Sequence, residues 1–181
     1  MSGMVLLDNK STHPGNPIFF TYIKINIQVC ILRVVYIIIE FMMNSQFENN
    51  IEIIDIYHKL DSELKGINPG CDACGTCCHF DNYGHELYAS TIEIDYILRN
   101  VNVPHFDPNQ KTCPFLVENK CTIRKFRTLG CRVFFCNPDY KETSQEIYNK
   151  YYKMIKDIAI RNQTKWQYAP MTKLLSIQTT K

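Results

Sequence analysis

Apolar residues between Phe47 and Leu64 recur every three or four positions, which is the spacing of one face of an α-helix. Gly66 and Pro69 follow this stretch, and residues of these types end helices. The pattern therefore predicts an amphipathic helix that begins near Ser45 and leads into the part of the chain that is rich in cysteine.

A short helix and a β-hairpin are predicted in the middle of the chain. Ser90 and Glu93 have the spacing of a capping box, and apolar residues on one face follow over 91–99. The stretch 113–123 has two short apolar runs on either side of residues 118–120, which is typical of two strands joined by a turn.

A last helix is predicted from about Thr143, which makes a second capping box with Glu146, through Ile158. The aromatic tail at 165–175 is expected to pack back on the domain. These elements predict the α+β class, with helices that flank a short β-hairpin and a cysteine-rich centre.

The most apolar stretch, 18–41, has three interpretations. Polar residues interrupt it, and Arg33 near the middle of a membrane span would cost about 2.5–3.5 kcal/mol, which disfavours a membrane anchor. Ile and Val alternate strictly with polar residues over 23–29, which is the period of a half-buried strand. Alternatively, the paired methionines at 42–43 are the true start, and the preceding residues are translated upstream sequence.

We therefore expect an N-terminal extension over 1–42, either dispensable or a packing arm, and a cysteine-cluster domain over 43–181 with its core at 66–140. The 181 residues, 45% hydrophobic and 21% charged, are typical of one globular domain. The formal net charge of +2 argues neither for nucleic acid nor for a membrane surface as a partner.

The chain has nine cysteines, of which eight lie between Cys71 and Cys136, while Cys30 stands apart. The first twenty residues lack the order of basic, apolar and small residues that marks a secretory signal. We therefore expect a cytoplasmic protein, because dense cysteines in a reducing compartment bind metal more often than they form disulfides.

The first group of cysteines has the form Cys71-x2-Cys74-x2-Cys77, a spacing that lets tight turns bring thiolates onto one metal or cluster. The same spacing holds an iron–sulfur cluster in bacterial ferredoxins, and Cys113, which precedes a proline, has the form of their fourth ligand. Tetrahedral zinc sites are equally compatible with these pairs.

Cys78 follows Cys77 directly, and consecutive side chains of an extended backbone point to opposite sides. The two cysteines are therefore predicted to serve different centres, in a loop to which Gly70 and Gly75 give backbone freedom. Eight cysteines suit two tetrathiolate sites, or one [4Fe–4S] cluster and one zinc. The predicted metal ligands are Cys71, Cys74, Cys77, Cys78, Cys113, Cys121, Cys131 and Cys136.

His79 and His85 are alternative ligands, although a histidine beside a cysteine loop is more often a surface residue. Four disulfides would require an exported domain, and a Cys77–Cys78 bridge is unfavourable because neighbouring Cα atoms are only about 3.8 Å apart. A catalytic thiol without metal requires one activated cysteine beside a base, whereas this chain has eight.

The stretches CDACGTCC at 71–78 and CPFLVENKCTIRKFRTLGCRVF at 113–134 together resemble the zinc- or iron-chelating cysteine-cluster family, also called CxxCxxCC or YkgJ-like. The resemblance places the predicted ligands on the family's cysteine positions, with Cys136 as a less regular feature. Arg132 belongs to the family's Cys-Arg-x-Phe signature, and Arg127 matches an arginine that the family usually follows with proline. We expect both arginines to contact the cofactor.

The resemblance implies a metal-binding protein, for zinc or iron, without a general reaction, and it predicts no catalytic residue. In the leading hypothesis, thiolate ligation organises a metal-nucleated fold. A similar cysteine block occurs in flagellin lysine N-methylases, which associate it with an iron–sulfur cluster. The second hypothesis is therefore an iron–sulfur enzyme that modifies a protein side chain, or an electron carrier.

Residues 120–132 contain five basic residues and no acidic ones beside the predicted ligands. These cations could offset the charge of the thiolates, tune the potential of a cluster or bind an acidic protein substrate. A nucleic-acid-binding zinc module is a third hypothesis, which the shortness of the basic stretch and the low net charge disfavour.

Overall fold

The computed structural model describes residues 17–84 and 86–179. Its helices are α1 (Pro17–Ile67), α2 (Phe80–Tyr83), α3 (Thr91–Asn100), α4 (Leu129–Val133), α5 (Lys141–Arg161) and α6 (Met171–Thr179). Its strands are β1 (Tyr88–Ser90), β2 (Leu116–Val117), β3 (Lys120–Cys121) and β4 (Tyr168–Pro170). Single turns of 3-10 helix lie at Thr76–Cys78, Arg124–Phe126 and Pro138–Tyr140. Helices dominate and the strands are short, so the predicted α+β class is confirmed.

The chain divides into two compact units, Met1–Asn44 and Ser45–Lys181. In the first unit the described backbone is helical from Pro17, so the strand interpretation of 23–29 is wrong. A helix pairs the backbone N–H and C=O groups within the segment, whereas a strand needs a partner strand for the same purpose. The four described strands pair with one another instead.

The apolar stretch does not form a membrane-spanning helix in the described part of the chain. Over residues 17–84 and 86–179, no helix is both long enough and apolar enough to cross a membrane.

The amphipathic pattern predicted after position 45 lies on the second part of α1. Ile53, Tyr57 and Leu60 are almost completely buried, at 0–1% exposure. The helix ends at Ile67, just before Pro69, so the predicted helix and its end are confirmed. The predicted start near Ser45 is wrong, because the helix already begins at Pro17.

The two predicted capping boxes have different outcomes. At the start of α3 the N–H of Glu93 donates to Ser90 Oγ at 3.4 Å, and the Ser90 N–H donates to the Glu93 carboxylate at 2.7 Å, which confirms the first. The second is wrong, because α5 begins at Lys141 and Thr143 therefore lies inside its first turn. The 3-10 turn at Pro138–Tyr140 already leads the chain into this helix.

The described strands of the second unit form two antiparallel sheets of two strands each. Strand β1 pairs with β4, so the aromatic tail packs back on the domain as predicted. Strands β2 and β3 form the predicted hairpin, with Leu116 opposite Cys121. Its turn residues Glu118 and Asn119 have φ values of 49° and 59°, in the left-handed region that suits a tight hairpin turn.

Helix α3 lies between two apolar clusters. Ile92 and Tyr96 belong to a cluster that α1, α4 and α5 complete. Ile97 belongs to the other cluster, which includes residues of α6 together with Cys78 and Cys113. Two of the predicted metal ligands are therefore part of the apolar core.

Glu93 is a buried carboxylate, at 4% exposure, that connects three helices. Besides Ser90, it accepts hydrogen bonds from the Tyr57 hydroxyl of α1 at 3.1 Å and from the Leu129 N–H of α4 at 2.7 Å. The N–H groups in the first turn of a helix have no partner within the helix, so Glu93 caps α4 from the neighbouring α3. This carboxylate positions the segment that begins with Leu129 and carries Cys131.

We expect the substitution Glu93→Gln to reduce the free energy of unfolding by about 2–4 kcal/mol, because each carboxylate oxygen accepts from a backbone N–H and the amide NH₂ would oppose one of them. Tyr57→Phe removes one of the donors and should cost about 0.5–1.5 kcal/mol. Urea midpoints of the two variants measure the difference. Equal losses would contradict the central position assigned to the carboxylate.

Candidate metal centre

All eight cysteines between positions 71 and 136 line one cavity of about 590 Å³, the thiol cavity. Cys78 and Cys113 are buried, and the other six are partly or fully exposed. The sequence left open whether the eight form one group or two. The fold brings them around one space.

Backbone hydrogen bonds bring the two cysteine groups together. The Cys113 N–H donates to the Cys78 carbonyl at 2.8 Å, and the Phe80 N–H donates to the Lys111 carbonyl at 2.9 Å. These bonds align 78–80 with 111–113 as a short antiparallel contact. Cys78 and Cys113 therefore lie side by side although they are far apart in sequence.

The Cys78 thiol lies among three other thiols, and the four residues are here the inner set. Cys78 forms side-chain hydrogen bonds with Cys113, Cys121 and Cys77, which raise the pKa of the Cys78 thiol. The same hydrogen bonds lower the pKa of Cys113 and lower the pKa values of Cys77 and Cys121 to about 6. In the inner set, Cys78 therefore keeps its proton while Cys77, Cys113 and Cys121 deprotonate more easily. A metal cation can replace the proton of Cys78.

The prediction that Cys77 and Cys78 face different ways is wrong. It assumed an extended backbone, but Thr76–Cys78 forms a 3-10 turn in which the Cys78 N–H donates to the Gly75 carbonyl at 2.9 Å. This helix has about three residues per turn, so neighbouring side chains differ by about 120° in direction instead of being opposed. Both thiols can therefore belong to one group.

Two arginines place positive charge on the wall of the thiol cavity. The Arg124 guanidinium donates to Cys71 Sγ at 3.4 Å and holds the pKa of that thiol below its usual value. Arg127 donates to the carbonyls of Arg124 and Cys131, each at 3.1 Å. Its charge also contributes to the lowered pKa values of Cys77 and Cys121.

Arg132 is buried and does not line the thiol cavity. Its guanidinium donates to both carboxylate oxygens of Asp61 at 2.8 Å and lies 4.1 Å from the ring centre of Tyr57. It also donates to the carbonyls of Lys125 at 2.6 Å and Arg127 at 2.9 Å. Arg132 therefore supports the backbone that carries Arg127. The sequence had suggested that Arg132 contacts the cofactor directly, whereas in the structure it lies behind this backbone and outside the lining of the thiol cavity.

The remaining four cysteines of the thiol cavity are here the outer set: Cys71, Cys74, Cys131 and Cys136. Cys74 Sγ lies 3.0 Å from the hydroxyl of Thr76. Burial raises the pKa of the Cys131 thiol to about 12, while the nearby Thr128 hydroxyl acts in the opposite direction. The outer set thus contains exposed cysteines and also Cys131, whose surroundings keep its thiol protonated.

Of the two candidate histidines, one lies in the described part of the chain. His79 forms a backbone bridge with Thr112 and does not line the thiol cavity. His85 lies outside the described residues.

The thiol cavity also has an aromatic wall, which was not predicted as part of the site. Tyr148 and Tyr168 line the cavity, and their hydroxyls are hydrogen-bonded to each other. Burial raises the pKa of both hydroxyls. The sequence carried no signal for this pair, because only the pairing of β1 with β4 brings Tyr168 to the cavity.

The donor set fits zinc or iron in its chemistry, because thiolate sulfur is the ligand that both metals take in tetrahedral and iron–sulfur sites. In residues 17–84 and 86–179, no three His, Cys, Asp or Glu side chains have the arrangement that would hold an ion as they stand. The inner thiols instead bond to one another around Cys78. Binding therefore requires the thiol side chains to rearrange around the cation.

The sequence model of the CxxCxxCC family, described as "Putative zinc- or iron-chelating domain", matches residues 70–163. The match covers more than half of the chain and includes all eight cysteines of the thiol cavity. The chain belongs to the CxxCxxCC family. No curated protein and no solved structure matches it.

Membership of the CxxCxxCC family confirms the resemblance seen in the two cysteine stretches. The family's description indicates that the domain chelates zinc or iron, so a metal ion is the partner that the family supports. The structure adds that the cysteines of this domain surround one cavity with an arginine-lined wall.

The glycines of the cysteine loop provide a test of how closely the loop packs on the hairpin. Gly75 and Gly70 have φ values of 75° and 70°, as the sequence predicted, and an added Cβ costs about 1–2 kcal/mol in this conformation. At Gly75 the Cβ would also lie 2.3 Å from the Asn119 carbonyl oxygen, whereas at Gly70 it would meet nothing within 4 Å. We expect Gly75→Ala to cost about 1–3 kcal/mol more than Gly70→Ala.

Urea midpoints of the two glycine variants measure this difference, and the backbone penalty cancels in the comparison. Equal midpoints would show that the loop does not depend on its contact with the hairpin turn.

Proposed function

We propose that this chain is a metal-chelating protein in which the cysteines of the thiol cavity hold zinc or iron. The inner set of Cys77, Cys78, Cys113 and Cys121 forms one four-thiolate site. The outer set of Cys71, Cys74, Cys131 and Cys136 supplies the ligands of a second site on the same cavity. The compartment proposed for it is the cytoplasm, where thiols stay reduced.

The observation that carries this proposal is the position of the Cys78 thiol among three other cysteine thiols in a cavity lined by eight. Thiolates that lie this close repel one another, so they need a proton or a cation between them. A divalent metal meets this need with two positive charges and four bonds, which is more than one proton supplies.

The bound metal is proposed to stabilise the part of the fold that has little regular structure. From residue 68 to residue 90, the described elements are one 3-10 turn, α2 and β1, of three, four and three residues. Ligation in structural zinc sites contributes about 10–16 kcal/mol, which is enough to organise such a segment. The metal then serves the fold, and no reaction is required of it.

The second candidate is an iron–sulfur protein that carries electrons or modifies a protein side chain. The spacing of Cys71, Cys74 and Cys77 and the Cys113-Pro114 pair favour it. Arg124 and Arg127 beside the thiols could tune the potential of a cluster. The cluster would supply the electron transfer, and these residues would hold it and set its electrostatic surroundings.

Metal analysis of the full chain, purified without oxygen, tests both candidates. We expect zinc or iron bound to the isolated protein, and acid-labile sulfide with visible absorption only if the metal is a cluster. Cys78→Ser should remove the metal of the inner site, because a hydroxyl is a poor ligand for these metals. Cys30→Ser is the matched control, since Cys30 is exposed on α1 and lies far from the cysteine loop in sequence.

Replacement of the native metal by Co²⁺ adds a measurement that does not depend on yield, because thiolate ligation produces a sulfur-to-cobalt absorption band. The band should weaken in Cys78→Ser and persist in Cys30→Ser. A protein that binds neither metal nor cobalt, or a Cys78→Ser variant with unchanged metal, would contradict the proposal.

Removal of the metal should unfold the cysteine domain locally and leave the helices on either side partly structured. After chelation, we expect amide hydrogens in 66–140 to exchange at least tenfold faster, while those of α5 change less, because the apolar contacts of α5 do not involve the thiols. Hydrogen exchange with mass spectrometry measures both regions. Unchanged protection over 66–140 would show that the metal does not organise the fold.

A further inference from the structure

A second cleft, of about 660 Å³, adjoins the thiol cavity and is here the basic cleft. The two spaces share Cys71, Arg124 and Arg127 as wall residues. The end of α1 supplies Lys65, which the sequence analysis had not connected with the basic residues at 120–132. Whatever binds in the basic cleft therefore lies next to the thiols.

Charge is distributed unevenly in the basic cleft. Five cationic side chains and one carboxylate line it, an excess of four positive charges. The carboxylate, Asp61, is already paired with the buried Arg132. Arg124 bonds to the Cys71 thiol, and Arg127 bonds to backbone carbonyls and faces the thiol cavity as well.

The other two cations are Lys65 and Lys125, both exposed. Neither forms a salt bridge with any residue in the described ranges. The carbonyl of Lys125 itself accepts a hydrogen bond from Arg132 at 2.6 Å, so the backbone of this lysine is fixed while its side chain stays exposed. Two lysines on a fixed wall without a counter-charge are suited to anionic groups that arrive from solvent.

The basic cleft also offers apolar surface. Phe134 and Phe135 line it and are partly exposed. A ligand that fits this combination carries several negative charges and at least one apolar side chain. An acidic polypeptide segment with an aromatic or aliphatic residue has both features.

We propose that the basic cleft binds an acidic protein segment, with Lys65 and Lys125 contacting its carboxylates and the two phenylalanines contacting its apolar residue. The segment then lies beside the metal centre, across the shared wall of Arg124 and Arg127. This proposal rests on the proposed function only for the presence of the metal, because the binding of the acidic segment in the basic cleft does not require the metal.

The cleft suits carboxylates better than a nucleic-acid backbone. Affinity for nucleic acid grows with the number of phosphates that are neutralised, and proteins that bind it well use many cations. Here only two of the five cations lack an ionic or hydrogen-bonded partner among the described residues, and one of them, Lys125, lies 5.8 Å from the ring centre of Phe126. The whole chain carries a formal charge of only +2. Two lysines with an apolar wall match a short acidic peptide.

Fluorescence anisotropy on the full chain, purified without oxygen, tests the proposal. The probe is a fluorescein-labelled heptapeptide, Gly-Glu-Glu-Phe-Glu-Glu-Gly, and its partner has glutamine in place of each glutamate. We expect the glutamate peptide to bind more tightly than the glutamine peptide and to weaken as salt is added. The double variant Lys65→Glu with Lys125→Glu should weaken it by about five- to tenfold.

The matched control is Lys153→Glu with Lys173→Glu, which makes the same change in net charge at two exposed lysines that do not line the basic cleft. This variant should change the affinity by less than about twofold, because exposed charges separated by more than the screening length interact weakly. Equal weakening by both double variants, equal binding of both peptides or no binding would overturn the proposal. So would tighter binding of a labelled single-stranded RNA that responds to the same lysines.

Metal content, measured on the same samples, separates this proposal from the proposed function. Unchanged metal in the cleft variant with weaker peptide binding supports the basic cleft. Loss of metal in that variant would overturn it, because the lysines would then serve the metal centre. Peptide binding by a chain without metal would leave the cleft in place and contradict the chelating function alone.

Discussion

The buried Glu93 carboxylate is the interaction on which the cysteine domain depends. It accepts hydrogen bonds from three elements, and one of its donors, Tyr57, lies under the guanidinium of Arg132. Arg132 in turn connects Asp61 of α1 to the backbone carbonyls of Lys125 and Arg127. Two buried charges of opposite sign thus contact one tyrosine. Each charge also has several further hydrogen-bond partners, which is the condition under which burial of a charge is tolerated.

This network determines where the chemistry can take place. Because Glu93 caps the first turn of α4 and Arg132 supports the preceding loop, the segment from Arg124 to Cys131 is held at both ends. That segment supplies the cationic wall of the thiol cavity, and the hairpin and the 78–113 contact supply the inner thiols. The scaffold is therefore apolar and ionic in origin, while the thiols remain close enough to need a cation. A metal would complete this site and stabilise the cysteine loop that the network itself does not hold.

The local signals of the sequence predicted the elements well. The Ser90–Glu93 capping box, the hairpin turn and the two left-handed glycines each follow from residues within a few positions, and the structure confirms all of them. The errors arose where neighbours in space decide the outcome. The alternation over 23–29 predicted a strand, but the segment is helical. Thr143 was predicted to cap the last helix, but a 3-10 turn precedes that helix and leads into it. Cys77 and Cys78 were predicted to be extended, but they lie in a 3-10 turn. The Arg132–Asp61 pair and the Tyr148–Tyr168 pair join residues from separate elements, so no local pattern could indicate them.

The negative charge of a thiolate–metal centre explains why arginines line the thiol cavity. Four thiolates around Zn²⁺ carry a net charge of about −2, and four thiolates around an oxidised [4Fe–4S] cluster, whose core is 2+, carry the same. Arg124 and Arg127 could offset either centre equally, so the basic wall supports a thiolate–metal site without identifying its metal. The lysines of the basic cleft are not placed for this compensation, because neither of them lines the thiol cavity. Lys65 and Lys125 therefore call for a partner outside the metal centre, which is the physical reason for treating the two spaces as separate sites with a common wall.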